Sequence, residues 1–443
     1  MNSSNIKILR KKIMIGVFFA NTFVMCSQKK EAPSNDAHYS VSIDAKKSTE
    51  SALLLVALGE QDTALTEVCD AIKRTLEYTG QFDVAIEFHP ERFKKQQVLD
   101  LHDAYDLVLF LNDNKRDHGY EWRLYDTYKA TMQKGFRVSK DGKLARGWGY
   151  AVADSLIPVL TGNKPFSSCK LLYSQQTKQG ENVVCVADFD GSYPTIVSHS
   201  KTSIIAPRWN KDPEDPFVLY SQYTPSNIQL VSCSLHGKKS VAVNFDGLTM
   251  QPSFSVDGKE ILVSLSIDGS SQIYHYGYDK KTQKIGYTRL TYNTGNNLSP
   301  CFLENGDIVF CSDYEFGRPY IYQLKKDGSI KRLTNGGSSV SPDYNPENKK
   351  IVYSKMVKGC MQAHMYDFVT GTEQQITFDK GHKQECTWSA CGNYVVYAYQ
   401  DEGQQRIATH SLLTGKRKFL TPSGKNCNYP SWSVLYRPFP VIG

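Results

Sequence analysis

Apolar and polar positions follow two different regimes along the chain. In the first, ALLLVAL (52–58) is a continuous apolar run of strand length. Leu65, Val68, Cys69, Ile72 and Leu76 then recur at helical spacing, between a candidate cap at Asp62 and a stop at Gly80. FDVAI (82–86) and DLVLFL (106–111) predict two further strands, with a polar helical stretch over 91–100 between them. YEWRLYDTY (120–128) sets Tyr120, Trp122 and Leu124 against Glu121, Arg123 and Tyr125, the two-residue period of a half-buried strand. A last helix is predicted over 150–160, with Pro158 placed awkwardly inside it. Strands alternating with helices over 51–165 make a small α/β domain.

After Phe166 the helical period is gone and one pattern returns. It reads Pro, any residue, aromatic, often Ser, then a turn and a strand. The instances are Pro207-Arg208-Trp209, Pro252-Ser253-Phe254, Pro300-Cys301-Phe302, Pro342-Asp343-Tyr344, Cys386-Thr387-Trp388 with Cys in place of Pro, and Pro430-Ser431-Trp432. The aromatics lie 45, 48, 42, 44 and 44 residues apart. Each interval holds a strand such as FVLYS (217–221), a second such as YIYQL (320–324), and a third that closes in TRLT (288–291), KRLT (331–334), QQIT (374–377) or KFLT (418–421). Asp-Gly and Asn-Gly turns punctuate them, as hairpins require. Short strands repeating at this period are the unit of a β-propeller blade. LLYS (171–174), VVCVAD (183–188) and TIVSH (195–199) form a first unit without its leading segment, and YPSWSVL (429–435) is a leading segment without a blade. The reading is therefore mainly β: a six-bladed β-propeller over 166–436, closed by its own C-terminus and preceded by the α/β domain, with a tail at 437–443.

Aromatics, 27 Tyr, 20 Phe and 5 Trp, suit that many short strands. The formal charge of +7 includes Lys7, Arg10, Lys11 and Lys12, and falls to +3 if the segment carrying them is removed. The remaining Lys pairs are scattered, which argues against nucleic-acid binding. KILRKK followed by an apolar run from 13 to 25 reads as a signal segment over 1–26, too short for a membrane span. Two processing routes stay open: cleavage near Ala20 gives a soluble product, and lipidation on Cys26 gives an anchored one. Residues 27–50 are polar and aperiodic and read as a flexible leader. Either route takes the chain out of the cytoplasm. Ten cysteines beyond Cys26 are compatible with disulfides there, but their pairing is not readable. No CxxC occurs, so zinc-ribbon and thioredoxin-type readings fail.

The chain has no GxxxxGK[ST], HExxH or GxSxG. Asp188-Phe-Asp190-Gly191 resembles the start of a calcium loop but lacks the later Glu, so a hairpin turn is the better reading. Gly147-Trp-Gly149 is too short for a dinucleotide loop. No catalytic residue, cofactor or metal site is expected, and the chain reads as a monomeric binding protein. Candidate partner-binding residues are those entering each Pro-x-aromatic segment, because in a propeller they converge at one end beside the axis. They are Leu248 and Gln251, Asn297 and Leu298, Ser339 and Val340, and Gln384. Leu248, Leu298 and Val340 could supply an apolar centre and the amides could bond peptide backbone around it. The plainer reading is that they are ordinary turn residues.

ADFDGSYPTIVSHSKTSIIAPRWN (187–210), FSVDGKEILVSL (254–265) and DYEFGRPYIYQL (313–324), with AIKRTLEYTGQFDV (71–84) and VADSLIPVLTGNKPFSSCKLLYSQ (152–175), resemble the TolB family of the Tol–Pal envelope system. The resemblance spans about residues 52–435. It implies a non-enzymatic periplasmic adaptor. It further implies that the peptidoglycan-associated lipoprotein Pal docks at one mouth of the propeller, and that the mature N-terminus communicates with TolA. Two alternatives are a lipid-anchored envelope scaffold and a lyase or glycan hydrolase with an axial site.

Overall fold

The computed structural model describes residues 50–435, apart from 115–117, 141–143, 178–179, 213, 226–227, 246–247, 256, 267–268 and 280–283, and gives backbone alone at 243–245, 248–250, 278–279 and 284–285. The expected signal segment, leader and tail, and Cys26, lie outside the described residues.

The N-terminal region is a five-stranded mixed sheet. Its elements are β1 (Ser51–Leu58), α1 (Thr63–Tyr78), β2 (Phe82–His89), α2 (Lys95–Leu99), β3 (Leu107–Asn114), β4 (Gly119–Asp126), β5 (Thr131–Ser139) and α3 (Ala145–Thr161). The order is β2-β1-β3-β4-β5, with β1 parallel to β2 and β3, and β4 and β5 added antiparallel. The apolar run of β1 is buried almost from end to end, as a central strand covered on both faces requires. Asp62 caps α1, its Oδ1 accepting the Leu65 N–H at 2.7 Å. Three details depart from the sequence pattern. The helical stretch over 91–100 shortens to the single turn of α2. An edge strand, β5, forms from TMQKGFRVS, whose residues are nearly all exposed and so carry no apolar alternation. The last helix starts at Ala145 and takes in Gly147 and Gly149. Gly149 is where α3 meets α1: a Cβ there would lie 2.5 Å from the Val68 carbonyl oxygen. Pro158 falls in the last part of α3, which ends at Gly162 in the left-handed conformation (φ 71°).

The rest of the described chain forms six four-stranded sheets. Their innermost strands are Cys427–Trp432 (blade 1), Ile204–Trp209 (blade 2), Leu248–Phe254 (blade 3), Asn297–Phe302 (blade 4), Ser339–Asn345 (blade 5) and His382–Trp388 (blade 6), each touching the next around a closed ring. The ring closes as the sequence implies: Cys427–Trp432 pairs antiparallel with Lys170–Gln176, Trp432 opposite Leu171. The Pro-x-aromatic marker is the signature of this inner strand. In every blade its ladder slips by one residue at the marker. The residue before the Pro, or before Cys386, has positive φ: Ala206, Gln251, Ser299, Ser341, Glu385 and Tyr429, all between 47° and 55°. A bulge leaves one residue out of the ladder, which is where Pro can sit without removing a needed N–H. Since Glu385 keeps the same φ ahead of Cys386, the bulge belongs to the blade geometry and Pro only suits it.

The near-repeat ending in Thr has its own physical reason. Thr291, Thr334, Thr377 and Thr421 are buried, and their hydroxyls accept the N–H of Ile273, Ile321, Ala363 and Ile407 at 2.9–3.0 Å. Each therefore satisfies a backbone donor of the third strand where the fourth strand leaves the sheet.

Inner strands begin at one end of the ring and finish at the other. The α/β region packs over the finishing end. Tyr78 of α1 sits in an aromatic cluster with Phe166, Phe189 and Tyr394. Asp188, 1% exposed, accepts from Lys170 Nζ at 2.7 Å, Tyr150 OH at 2.9 Å and Arg146 Nε at 3.2 Å, and Arg74 pairs with Asp190 at 3.3 Å. The carboxylates of the calcium-like Asp188-Phe-Asp190-Gly191 turn are thus spent on cations that join the two regions. The connection between them is tied by Asp154. Its Oδ1 accepts from the N–H groups of Phe166 and Ser167 and from Ser167 Oγ, and its Oδ2 accepts from the N–H and Oγ of Ser168.

Candidate partner-binding mouth

The opposite end of the ring, where the inner strands begin, is the open mouth. The sequence-predicted residues lie there on the first residues of the inner strands themselves, and not in the loops before them. Asn297 and Ser339 are fully buried. Asn297 Nδ2 donates to Gln272 Oε1 at 2.9 Å and Asn293 Oδ1 at 2.8 Å, and Ser339 Oγ donates to the Gly337 carbonyl at 3.2 Å. Both side chains are therefore committed to building the rim. Leu298 and Val340 are half-buried and pack on the core between blades 4 and 5. Gln384 is half-buried opposite Ala398. The Leu248 backbone pairs with Ser266, and its side chain lies outside the described residues.

Gln251 is one of the six left-handed bulge residues, and its side chain crosses between blades. Its Nε2 donates to Glu385 Oε2 at 3.3 Å, and its Oε1 accepts from Ser299 Oγ. Ser341 lies close enough to Glu385 to favour its charged form. Bulge side chains of blades 3, 4 and 6 thus meet in one hydrogen-bonded group, with Ser341 of blade 5 beside it, which converts a repeated backbone feature into a lining of the ring axis. Two carboxylates sit in this lining. Burial pushes both Glu385 and Asp343 above the usual carboxylate range, opposed by Arg208 beside Glu385 and by Lys211 and Arg208 beside Asp343. The Trp388 N–H adds a bond to Asp343 Oδ2 at 2.8 Å. Among the described residues no group of three or more His, Cys, Asp or Glu is placed to hold a metal ion.

Around the mouth stand exposed aromatics that the sequence reading missed. Tyr292 is 73% exposed, Phe316 55% and Phe378 78%, and Met356 of blade 5 is partly exposed. The Arg289 and Arg332 guanidinium groups lie 4.9 Å and 4.8 Å from the Tyr292 and Phe316 ring centres. A signal for two of them was present. Tyr292 and Phe378 directly follow the Thr that ends the near-repeat, where the chain turns onto the mouth, while the corresponding positions elsewhere hold Asn335 and Pro422.

The described cysteines are all free thiols. Nine are buried and Cys360 is half-buried, so none of the compatible disulfides forms among them. Among the described residues no helix is long and apolar enough to cross a membrane.

The family model for the TolB β-propeller domain matches residues 158–436, more than half of the chain. The chain belongs to the TolB family. Curated relatives include the Tol-Pal system protein TolB of Francisella tularensis subsp. mediasiatica, 29% identical over 322 residues that cover 69% of this chain and 72% of the relative. The same protein of Francisella tularensis subsp. tularensis is 28% identical over 322 residues, 69% of this chain and 72% of the relative. Among solved structures, TolB from Acinetobacter baumannii superposes with a TM-score of 0.73 at 23% identity, covering 88% of this chain and 98% of that one. This last likeness supports the same arrangement of an α/β region ahead of a six-bladed ring.

Proposed function

We propose that this TolB-family chain is a non-catalytic periplasmic adaptor of the Tol–Pal envelope system, and that it binds a Pal-type lipoprotein at the open mouth. The observation that carries the reading is the division of the two ends. The α/β region occupies the finishing end, whereas the mouth leaves Tyr292, Phe316 and Phe378 in solvent. Exposed aromatics with arginines beside them are the residue types that dominate protein–protein contacts. Gln251, Leu298, Val340 and Gln384 lie inside that aromatic border and would form the floor of the interface. Names of the curated relatives, Tol-Pal system protein TolB, support the assignment to that system. A contact with a TolA-type protein through the mature N-terminus belongs to the same proposal, as does export by the signal segment.

The test is calorimetric titration of the chain with the Pal-type lipoprotein of its own source, lacking the lipid. Tyr292→Ala combined with Phe316→Ala should weaken binding by about tenfold or more, because truncated aromatic anchors commonly cost 1 kcal/mol or more. Both side chains are exposed, so the circular dichroism spectrum should not change. Undiminished affinity of the folded double variant would place the contact elsewhere.

A further inference from the structure

On the mouth side, between the inner strands of blades 1 and 2, lies an open recess of about 320 Å³. Its walls come from the ends of strands Lys170–Gln176 and Phe217–Tyr223, the starts of Asn182–Asp188 and Ile204–Trp209, and the chain just before and within Cys427–Trp432. Not one lining residue carries a charge. Four side chains on the lining, Gln176, Asn182, Ser203 and Asn426, make no hydrogen bond within the described protein. A fifth polar group is held in place, Asn428 Nδ2 donating to Gln405 Oε1 at 2.8 Å. Gln405 itself, Ser174, whose Oγ donates to the Asn428 carbonyl at 3.3 Å, Ile204 and Ile205, and two half-buried phenol rings, Tyr223 and Tyr429, complete the lining.

That inventory selects among ligand chemistries. An ionic ligand would lose hydration and meet no countercharge. An apolar ligand would find only Ile204 and Ile205. A peptide adding itself as a strand would find Lys170–Gln176, Asn182–Asp188 and Phe217–Tyr223 already paired on both sides, and the one unpaired edge of each inner strand, Ile204–Trp209 and Cys427–Trp432, set against its neighbouring inner strands. A neutral molecule dense in hydroxyl groups meets none of these objections. Each primary amide donates and accepts at once, which matches adjacent hydroxyls that must also do both. Tyrosine rings offer an apolar face to the C–H side of a sugar ring and keep a polar tip for its rim. The volume is at the lower end of the range of about 300–1,000 Å³ for small-molecule sites, suited to a mono- or disaccharide unit. We propose that this recess is a binding site for a neutral saccharide, separate from the aromatic border on blades 3 to 6.

The experiment uses the full chain, titrated by ligand-observed NMR with maltose and with the β-1,4-linked N-acetylglucosamine disaccharide. Trialanine amide and inorganic phosphate are run as contrasting probes. At least one disaccharide should bind at a single site while the other two probes do not. Gln176→Ala combined with Asn426→Ala should weaken it by about tenfold, the loss of two ordinary hydrogen bonds. Both side chains are exposed, so folding is not at issue. Tyr223→Ala should weaken it further, and Tyr223→Phe should retain most of the binding. The proposal fails if neither disaccharide binds at millimolar concentration, or if binding survives the double variant. It also fails if trialanine amide binds in the disaccharide's place. Loss of Pal-type binding in the double variant, with no saccharide bound, would make the recess part of the partner's footprint and overturn the proposal. The adaptor reading would stand in that event, because it rests on Tyr292 and Phe316.

Discussion

A carboxylate at the bulge of blade 6 works against its surroundings. Burial favours the acid form of Glu385, and Arg208 and Ser341 oppose that shift without cancelling it. The folded chain therefore holds this proton more tightly than the unfolded chain does. The contribution of Glu385 to stability is greatest at low pH, declines as pH climbs from the usual carboxylate range through the raised value, and stays low above it. Asp343 acts in the same direction for the same reason. Glu385→Gln keeps an acceptor for Gln251 Nε2 and removes the charge. It should raise the thermal midpoint at pH 7, change it little at pH 4, and so flatten the pH profile of melting. If melting curves of variant and parent coincide at pH 7, Arg208 fully offsets the burial. Cysteine thiols in the interior show the same effect of desolvation. Burial pushes Cys386 and Cys427 up to about 12 and Cys311 to about 11, which leaves them unreactive at neutral pH.

At the scale of elements, the connection between the two regions depends on one side chain at the third turn of α3. Asp154 is buried and satisfies three backbone N–H groups and two hydroxyls of the segment Phe166–Ser168. Asp154→Ala would strand those donors, each at a cost of about 1–3 kcal/mol, so urea unfolding should show a loss of at least about 3 kcal/mol. A loss under 1 kcal/mol would mean that water replaces the carboxylate. What the sequence showed of these elements follows from what each must bury. β1 was legible because its unbroken apolar run is buried on both faces, α1 and β4 because each buries one face with its own period, and the blades because every inner strand repeats one bulge. β5 was not, since an exposed edge strand imposes no apolar pattern. The start of α3 was hidden by Gly147 and Gly149, and the reason for Gly149, close contact with Val68 and Ala71 of α1, involves residues some 80 positions away. Asn297 and Ser339 lie at the end where the inner strands begin, as the spacing implied, but spacing could not show that their side chains are consumed by Gln272 and by the Gly337 carbonyl.

For the whole molecule, the ring is held shut by a pairing between its first and last strands. The Lys170 N–H bonds Ser433 Oγ at 2.8 Å across 263 positions of chain. Trp432, 6% exposed, packs beside Tyr394 in the core that also receives Tyr78 and Phe166 from outside the blades. Trp432→Ala should lower stability by about 3–5 kcal/mol in denaturant unfolding. Ending the chain at Asn428 should cost more, because the edge of Lys170–Gln176 is then unpaired. Melting of that shortened chain at the parent temperature would mean the last strand is dispensable. The order of manufacture gives this seam a further meaning. Every other blade is complete once its own stretch has been made, whereas blade 1 waits for Cys427–Trp432, made after all the other blades. A chain broken off early would display a bare row of backbone donors and acceptors, a template for clumping and a foothold for proteases. The closing strand therefore also acts as a check on synthesis: a polypeptide that stops short of Cys427–Trp432 cannot conceal the edge of Lys170–Gln176.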